Sequence, residues 1–242
     1  YQGDAEEIKA LVAAGASLEA QAERKYTPLH LATNQGHAEA IKVLVAAGAS
    51  LEAQAEHKQT PLHLAANGHA EAIKALVAAG ASLKAKAANK ETPLHMAAMQ
   101  GHAEAISLLV AAGASLEAQA KNKYTPLDAA AHHGHAEAIK ALVAVGASPE
   151  AQTEYTNAPL HVAAYWYQGH AEAIKALVAA GASLEAQAEH QQTPLHVAAD
   201  QGHAEAITAL VAAGASPEAQ AEHQQTPLHL ATNAGHAEVI KV

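Results

Sequence analysis

The sequence predicts an all-α solenoid in which successive pairs of antiparallel helices stack on one another. Internal repetition carries this prediction, because self-similarity at a fixed period indicates a repeat architecture. The tetrapeptide TPLH, or a near copy of it, recurs at spacings of 33, 32, 33, 33, 35 and 33 residues. It begins at Thr27, Thr60, Thr92, Thr125, Ala158, Thr193 and Thr226. The glycine of GAS keeps the same period, at Gly15, Gly48, Gly80, Gly113, Gly146, Gly181 and Gly214.

Each copy is expected to form two helices. Thr is a good N-cap and Pro is tolerated at the first helical position, so TPLHLAA predicts a short first helix. A glycine such as Gly36 ends it, because glycine accepts the left-handed conformation common at helix C-termini. The segment HAEAIKALVAA then predicts an amphipathic second helix, with Ala40, Ile41 and Leu44 at helical spacing in the first full copy. An arm of alternating small and polar residues, 49–59, returns the chain to the next TPLH.

One helix pair cannot bury its apolar face alone, so neighbouring copies must stack, and the many alanines allow close approach. With its 33-residue period and its TPLHLAA, GHAEAIK and LVAAGAS motifs, the chain resembles the ankyrin repeat family along essentially its whole length. The resemblance implies one ankyrin-repeat domain over 1–242, a curved solenoid with projecting hairpin fingers. Its predicted copies are a partial repeat 1–17, full repeats 18–50, 51–82, 83–115, 116–148, 149–183 and 184–216, and a truncated repeat 217–242.

Two departures from the family pattern leave questions open. The family carries Asp and Gly around the finger tip, whereas this chain has AEHK at 55–58 and AEHQ at 188–191, so the finger conformation does not follow from the resemblance. The terminal copies lack polar capping helices, because Leu11, Val12, Val239 and Ile240 resemble interior residues. We expect a monomer, and these apolar ends leave end-to-end association as the alternative.

Composition narrows the classes of partner. The formal net charge is −10, from 24 acidic and 14 basic residues, which argues against nucleic acid because phosphate binding needs clustered Lys and Arg. The sequence contains no cysteine and no apolar run of membrane-spanning length. We expect no cofactor, no membrane partner, and a cytoplasmic location, or delivery into a host cell if the protein is an effector.

Differences between the copies concentrate in the fingers and at the ends of the first helices. In ankyrin proteins these regions line the concave face and bind partners, so the resemblance places the binding site there. Predicted apolar anchors are Tyr26, Met99, Tyr124, Tyr155, Tyr165, Trp166 and Tyr167, since aromatic residues dominate interface hot spots. Predicted residues for register and charge are Lys90, Lys123, Asp128 and His133. The insertion of aromatic residues around Trp166 is either part of this site or a tolerated surface loop.

The sequence gives less support for a catalytic or metal site than for a partner-binding site. Thirteen of the 18 histidines recur at fixed helix positions, which indicates a structural role. A metal site at His132, His133 and His135 lacks a thiolate or a recurrent carboxylate, so we expect none. Asp128 replaces the TPLH histidine of one copy, but no nucleophile accompanies it, and catalysis is not expected.

The predicted function is therefore a non-enzymatic scaffold that binds another protein or a peptide on the concave face and finger tips. The alternative is a structural spacer within a longer protein, with no dedicated ligand. The identical finger sequences AEHQQ at 188–192 and 221–225 favour this alternative, because dedicated recognition diversifies such positions.

Overall fold

The computed structural model describes residues 5–166 and 170–237. Within these two ranges all regular secondary structure is helical and no strand occurs. The chain divides into two compact units, Tyr1–Ser115 and Leu116–Val242. This division falls on a predicted repeat boundary, and the assignment of 1–242 to one domain stays a prediction.

Helix pairs make up both units. The first unit contains α1 (Ala5–Ala13), α2 (Pro28–Asn34), α3 (Ala38–Ala46), α4 (Pro61–Ala65), α5 (Ala70–Ala78), α6 (Pro93–Met99) and α7 (Ala103–Ala111). The second contains α8 (Pro126–His132), α9 (Ala136–Ala144), α10 (Pro159–Tyr165), α11 (Ala171–Ala179), α12 (Pro194–Gln201), α13 (Ala204–Ala212) and α14 (Pro227–Asn233). Among the described residues no helix is long and apolar enough to cross a bilayer.

The helices of each unit form two layers. First helices contact first helices, as in α2–α4–α6 and α8–α10–α12–α14, and second helices contact second helices, as in α3–α5–α7 and α9–α11–α13. The core lies between the layers, where leucines of the first helices, such as Leu62 and Leu160, meet isoleucines of the second, such as Ile73 and Ile139. All four side chains are at most 1 % exposed, so stacking buries the apolar faces as predicted.

The TPLH motif caps its own helix and holds the next copy. In α4 the backbone N–H and the hydroxyl of Thr60 both lie against Nδ1 of His63, at 3.2 and 2.8 Å. The Nε2 of His63 lies 3.1 Å from the carbonyl oxygen of Glu91, before the following TPLH. A carbonyl only accepts and a backbone N–H only donates, which fixes the neutral tautomer with its proton on Nε2. His30, His161 and His196 repeat this arrangement toward Gln59, Gln192 and Gln225.

The GHAE histidines explain why glycine ends the first helices. At Gly36 the backbone φ is +71°, and a Cβ there would lie 2.7 Å from Nδ1 of His69. His69 stays in place through its Nε2, which lies 3.1 Å from the carbonyl oxygen of Asn34. Gly202 and His236 form the same contact in the second unit. Both the conformation and the stacked imidazole therefore require glycine.

The fingers form a tight turn although they lack the glycine that the ankyrin pattern places at the tip. Each is a five-residue turn closed by a backbone hydrogen bond of 2.9–3.0 Å from its first N–H to its last carbonyl. These fingers, numbered 1 to 7, are residues 22–26, 55–59, 87–91, 120–124, 153–157, 188–192 and 221–225. The fourth residue always has a left-handed φ between 57° and 63°, although it is Lys, Thr or Gln in every finger. Left-handed backbone costs a residue with a Cβ about 1 kcal/mol, more when it is β-branched.

In α8, Asp128 takes the place of the capping histidine of the other first helices. We predicted that Asp128 would contact a partner, and its burial corrects that prediction. The side chain is fully buried. Its Oδ2 accepts hydrogen bonds from the N–H and hydroxyl of Thr125 at 2.9 and 2.8 Å, while Oδ1 is buried without a partner. Burial raises the pKa of Asp128 to about 7, although the two hydrogen bonds from Thr125 act to lower it. Asp128 caps α8 and is shielded from any partner.

Replacing the strained finger residue Thr156 with glycine should stabilise the protein. Thr156 is β-branched and has a φ of 57°, a conformation that glycine adopts without penalty. We expect Thr156→Gly to raise the free energy of unfolding by about 1 kcal/mol, measured by urea denaturation. Glu154→Gly, in the same finger at a residue without positive φ, is the control and should lower it. Equal effects of both variants would contradict the strain argument.

Acid should destabilise the fold through the TPLH histidines. Burial lowers the pKa of His30, His63 and His196, and lowers the pKa of His161 to about 4. The pKa of histidine in the unfolded chain is about 6.5, so the stability that these neutral histidines contribute is fully present above that pH. The free energy of unfolding then falls as pH drops from 6.5 toward the lower pKa values of the folded protein. His161 alone should cost on the order of 2 kcal/mol between pH 7 and pH 5. His161→Gln, which retains a capping acceptor but does not titrate, should flatten the dependence of the urea midpoint on pH.

Asp128 should have the opposite pH dependence. Its folded pKa is raised from 3.8 to about 7, so its contribution is most favourable below pH 4 and is lost as pH rises through 7. Asp128→His restores the repeated residue and should stabilise the protein at pH 8 by roughly 2 kcal/mol, with a smaller gain at pH 5. Asp128→Asn removes the charge alone. Melting temperatures at pH 8 that fail to rise in either variant would overturn this account.

Candidate functional site

The predicted site residues occupy fingers and first-helix ends in both units. In the first unit, Tyr26 and Lys90 lie in fingers 1 and 3, and Met99 is the last residue of α6. The Tyr26 ring stacks on the ring of His30, with centroids 5.7 Å apart and planes 8° from parallel. Lys90 is exposed, while Tyr26 and Met99 are half-buried. Tyr26 lies in repeat 18–50, whereas Lys90 and Met99 share repeat 83–115, and all three present accessible surface.

The second unit brings several predicted residues together with one that was not predicted. Tyr124, Tyr165 and Trp166 form an aromatic cluster with His132, the last residue of α8. Ring centroids lie 4.3 Å apart for His132 and Trp166, 5.3 Å for Tyr165 and Trp166, and 6.2 Å for Tyr124 and His132. We call these four residues the aromatic cluster.

The insertion creates this cluster by changing the end of α10. The helix ends at Tyr165, and Trp166 follows in an extended conformation, with φ −93° and ψ 146°. At the matching end of α8, His133 keeps φ −97° and ψ 2° and continues the turn. The extended residue lets the Trp166 ring pack on His132 of the preceding repeat. Tyr167 lies outside the described residues.

The histidine contacts around the insertion change as well. His170 and His236 each use Nε2 to reach the carbonyl oxygen two residues before the glycine of the preceding repeat, at His132 and Asp200. His203 instead uses Nδ1, at 2.9 Å from the carbonyl oxygen of Ala164. The insertion therefore alters the helix end and the histidine that packs on it, rather than adding only a surface loop.

The cluster is uncharged near neutral pH. Burial lowers the pKa of His132, and the neighbouring His133 and His170 lower it further. The pKa of His133 is also lowered, first by burial. Burial raises the pKa of the Tyr124 phenol, with the Asp128 carboxylate adding to the effect. The rings accordingly present aromatic faces and neutral hydrogen-bonding groups.

The same histidines do not assemble a metal site in the described part of the chain. His133 lies between its neighbours, with ring centroids 4.7 Å from His132 and 6.1 Å from His135. Across 5–166 and 170–237, no three His, Cys, Asp or Glu side chains converge as metal ligands would. His133 is exposed and remains available for contact with a partner.

An open cleft of about 160 Å³ lies next to Tyr165. Tyr155 of finger 5 and Tyr165 at the end of α10 line it and are 48 % and 47 % exposed. Finger 6 and the end of α12 complete the cleft with Glu189, His190, Gln192, Asp200 and Gln201. Lys123, in finger 4, is exposed and has the left-handed fourth-residue conformation, with φ 58°.

Sequence reasoning did not assign His132, Glu189 or Asp200 to the site. All three occupy positions that vary between copies, so they lie in the segments that the variation indicated. It did not indicate which variable side chains meet, because those contacts join residues from adjacent repeats. For His132 and Asp200, the available signal was a variable position at the end of a first helix whose other residues recur between copies.

Comparisons with known proteins agree with this architecture. The family profile described as ankyrin repeats (3 copies) matches residues 1–87, 67–153 and 160–242. Among solved structures, the chain is similar to the crystal structure of the human ASB11 ankyrin repeat domain, with 29% sequence identity and a TM-score of 0.77. That similarity covers 89% of this chain and 96% of the other. A search of curated proteins returned no significant match. Because the profile matches span nearly every residue, the chain belongs to the ankyrin repeat family.

Proposed function

We propose that this protein is a non-enzymatic scaffold that binds another protein, or a peptide segment, through its fingers and first-helix ends. Ankyrin repeats are generally protein–protein interaction modules. The aromatic cluster is the observation that supports a particular surface. It joins Tyr124, Tyr165 and Trp166 at variable positions of neighbouring repeats, around an insertion that occurs in only one copy.

The exposure of the cluster favours a binding role over a purely structural one. Tyr165 is 47 % exposed, and its ring packs against the half-buried Trp166, whose ring in turn contacts His132. Rigid, partly exposed aromatic side chains offer large contact area at little loss of side-chain entropy. Loss of one such anchor at an interface commonly costs about 2 kcal/mol or more of binding free energy.

Other accessible residues would extend the contact. Tyr155 adds an aromatic ring beside Tyr165, and His133 adds a neutral imidazole next to the cluster. Lys123 offers a cation on finger 4, and Tyr26, Lys90 and Met99 offer contacts on the first unit. Asp128 has no part in the proposed surface, because it is buried.

The second candidate, a spacer with no dedicated ligand, is favoured by one observation. Fingers 6 and 7 share the sequence AEHQQ, and both adopt the same pair of left-handed residues at their tips. In a repeat array that only separates other segments, the finger residues bind nothing and need not differ between copies. The two candidates differ in whether changing the aromatic cluster alters what the protein binds.

The test is capture of partners from a cell lysate by the parent and by a Tyr165→Ala, Trp166→Ala double variant, with identification by mass spectrometry and reconstitution from purified components. We expect the reconstituted affinity to fall at least about 30-fold in the double variant, because two anchors are removed. Circular dichroism establishes that the variant keeps its helical content.

A Val145→Ala, Val211→Ala double variant is the matched control. Both valines are exposed apolar residues, 42 % and 44 %, and belong to the second-helix side of their repeats. This control should bind as the parent does. Equal capture by all three proteins, or capture by none, would favour the spacer.

A further inference from the structure

We propose that the cleft between fingers 5 and 6 receives an arginine side chain from a basic segment of the partner. This inference rests on the proposed function and adds the chemistry of the partner to it. Two independent observations carry it: the distribution of charge along the sequence, and the combination of aromatic and carboxylate groups in one cleft.

Negative charge is concentrated at one end of the sequence. Residues 141–242 contain ten acidic residues and two lysines, so they carry −8 of the formal net charge of −10. Residues 1–140 are nearly balanced, with fourteen acidic and twelve basic residues. A surface of one sign attracts partners of the opposite sign and favours their encounter.

No lysine or arginine is among the residues that line the cleft. Among residues 141–166 and 170–237, Lys175 is the only Lys or Arg, and it belongs to α11. Its Nζ lies 2.7 Å from Glu172 of the same helix, where both side chains are largely exposed. His190 lies 3.0 Å from Glu222 of finger 7 and so faces a carboxylate outside the cleft lining. Glu189 and Asp200 are therefore the charged groups that a ligand in the cleft would meet.

The cleft walls suit a guanidinium group. Tyr155 and Tyr165 are each about half exposed in the cleft, and a cation over the face of such a ring is attracted by the ring quadrupole. Glu189 and Asp200 offer carboxylate oxygens, and Asp200 is oriented by a 3.0 Å hydrogen bond from Gln201. Arginine combines both needs, because its planar group stacks on aromatic rings while its fork of N–H donors pairs with carboxylates.

The size of the cleft fits one side chain rather than a folded element. Its volume of about 160 Å³ accommodates a single long side chain, and its open side leaves the rest of a peptide on the surface. Tyr165 belongs to both the cleft and the aromatic cluster. A partner segment that anchors apolar residues at the cluster therefore carries its arginine a short distance away along the chain.

The test uses a blocked heptapeptide of alternating glycine and arginine, and the same peptide with citrulline in place of arginine. Citrulline keeps the shape of the side chain and removes its charge. Amide chemical shifts of the full chain are followed by NMR at low salt. We expect the arginine peptide to shift the amides of Tyr155, Glu189 and Asp200, and the citrulline peptide to leave them unchanged.

Charge variants separate a local site from general attraction. A Glu189→Gln, Asp200→Asn double variant should weaken binding of the arginine peptide about tenfold or more in fluorescence anisotropy. A Glu205→Gln, Glu218→Gln double variant removes the same charge from exposed positions outside the cleft lining and should weaken it less than about twofold.

Two results would overturn the inference: equal weakening by both double variants, or absence of shifts around the cleft. Neither result bears on the capture experiment with Tyr165→Ala and Trp166→Ala. Partner capture that depends on the cluster, combined with no response to the arginine peptide, would leave the binding function intact and reject only the basic partner. Loss of both would reject the two proposals together.

Discussion

The structure depends most on the neutral histidine of TPLH, which joins one repeat to the next at His30, His63, His161 and His196. Its Nδ1 accepts from the N-cap residue of its own helix, and its Nε2 donates to a backbone carbonyl of the following finger. Only a neutral imidazole supplies one acceptor and one donor on opposite edges of a rigid ring. The bond fixes the finger against the helix end, and it recurs because the copies that carry this histidine present the same backbone groups.

This constraint also determines where the sequence is free to vary. The cap, the stacked GHAE histidine and the buried leucines fix the backbone of each copy, so finger tips and first-helix ends keep side chains without a structural task. The two copies that depart from the cap lie beside the aromatic cluster. Ala158 removes the threonine hydroxyl from the start of α10, and Asp128 replaces the histidine of α8 with a buried acid. Local violations of a repeated rule commonly accompany functional positions.

The sequence was sufficient for the helices and insufficient for contacts between copies. Thr, Pro and Gly predicted the starts and ends of helices such as α2 and α12, because these signals act within one helix. Fingers were harder, since residues such as Lys58 and Thr156 hold a left-handed backbone that their own propensity disfavours, and the closing hydrogen bond imposes it. Asp128 appeared accessible because burial depends on the neighbouring layers, which no single repeat reveals.

Two extra residues give this nearly uniform array one surface that differs from the rest. A repeat presents one finger and one helix end, which is too small a surface to select a partner by itself. Two extra residues after α10 place Trp166 against the preceding repeat, while Tyr165 stays exposed beside the cleft toward the following one. One insertion thus links three successive repeats of the second unit into a continuous surface, neutral and aromatic on one side and acidic on the other. On the proposed function, specificity arises from the differences between neighbouring copies, because their shared residues are already engaged in holding the stack.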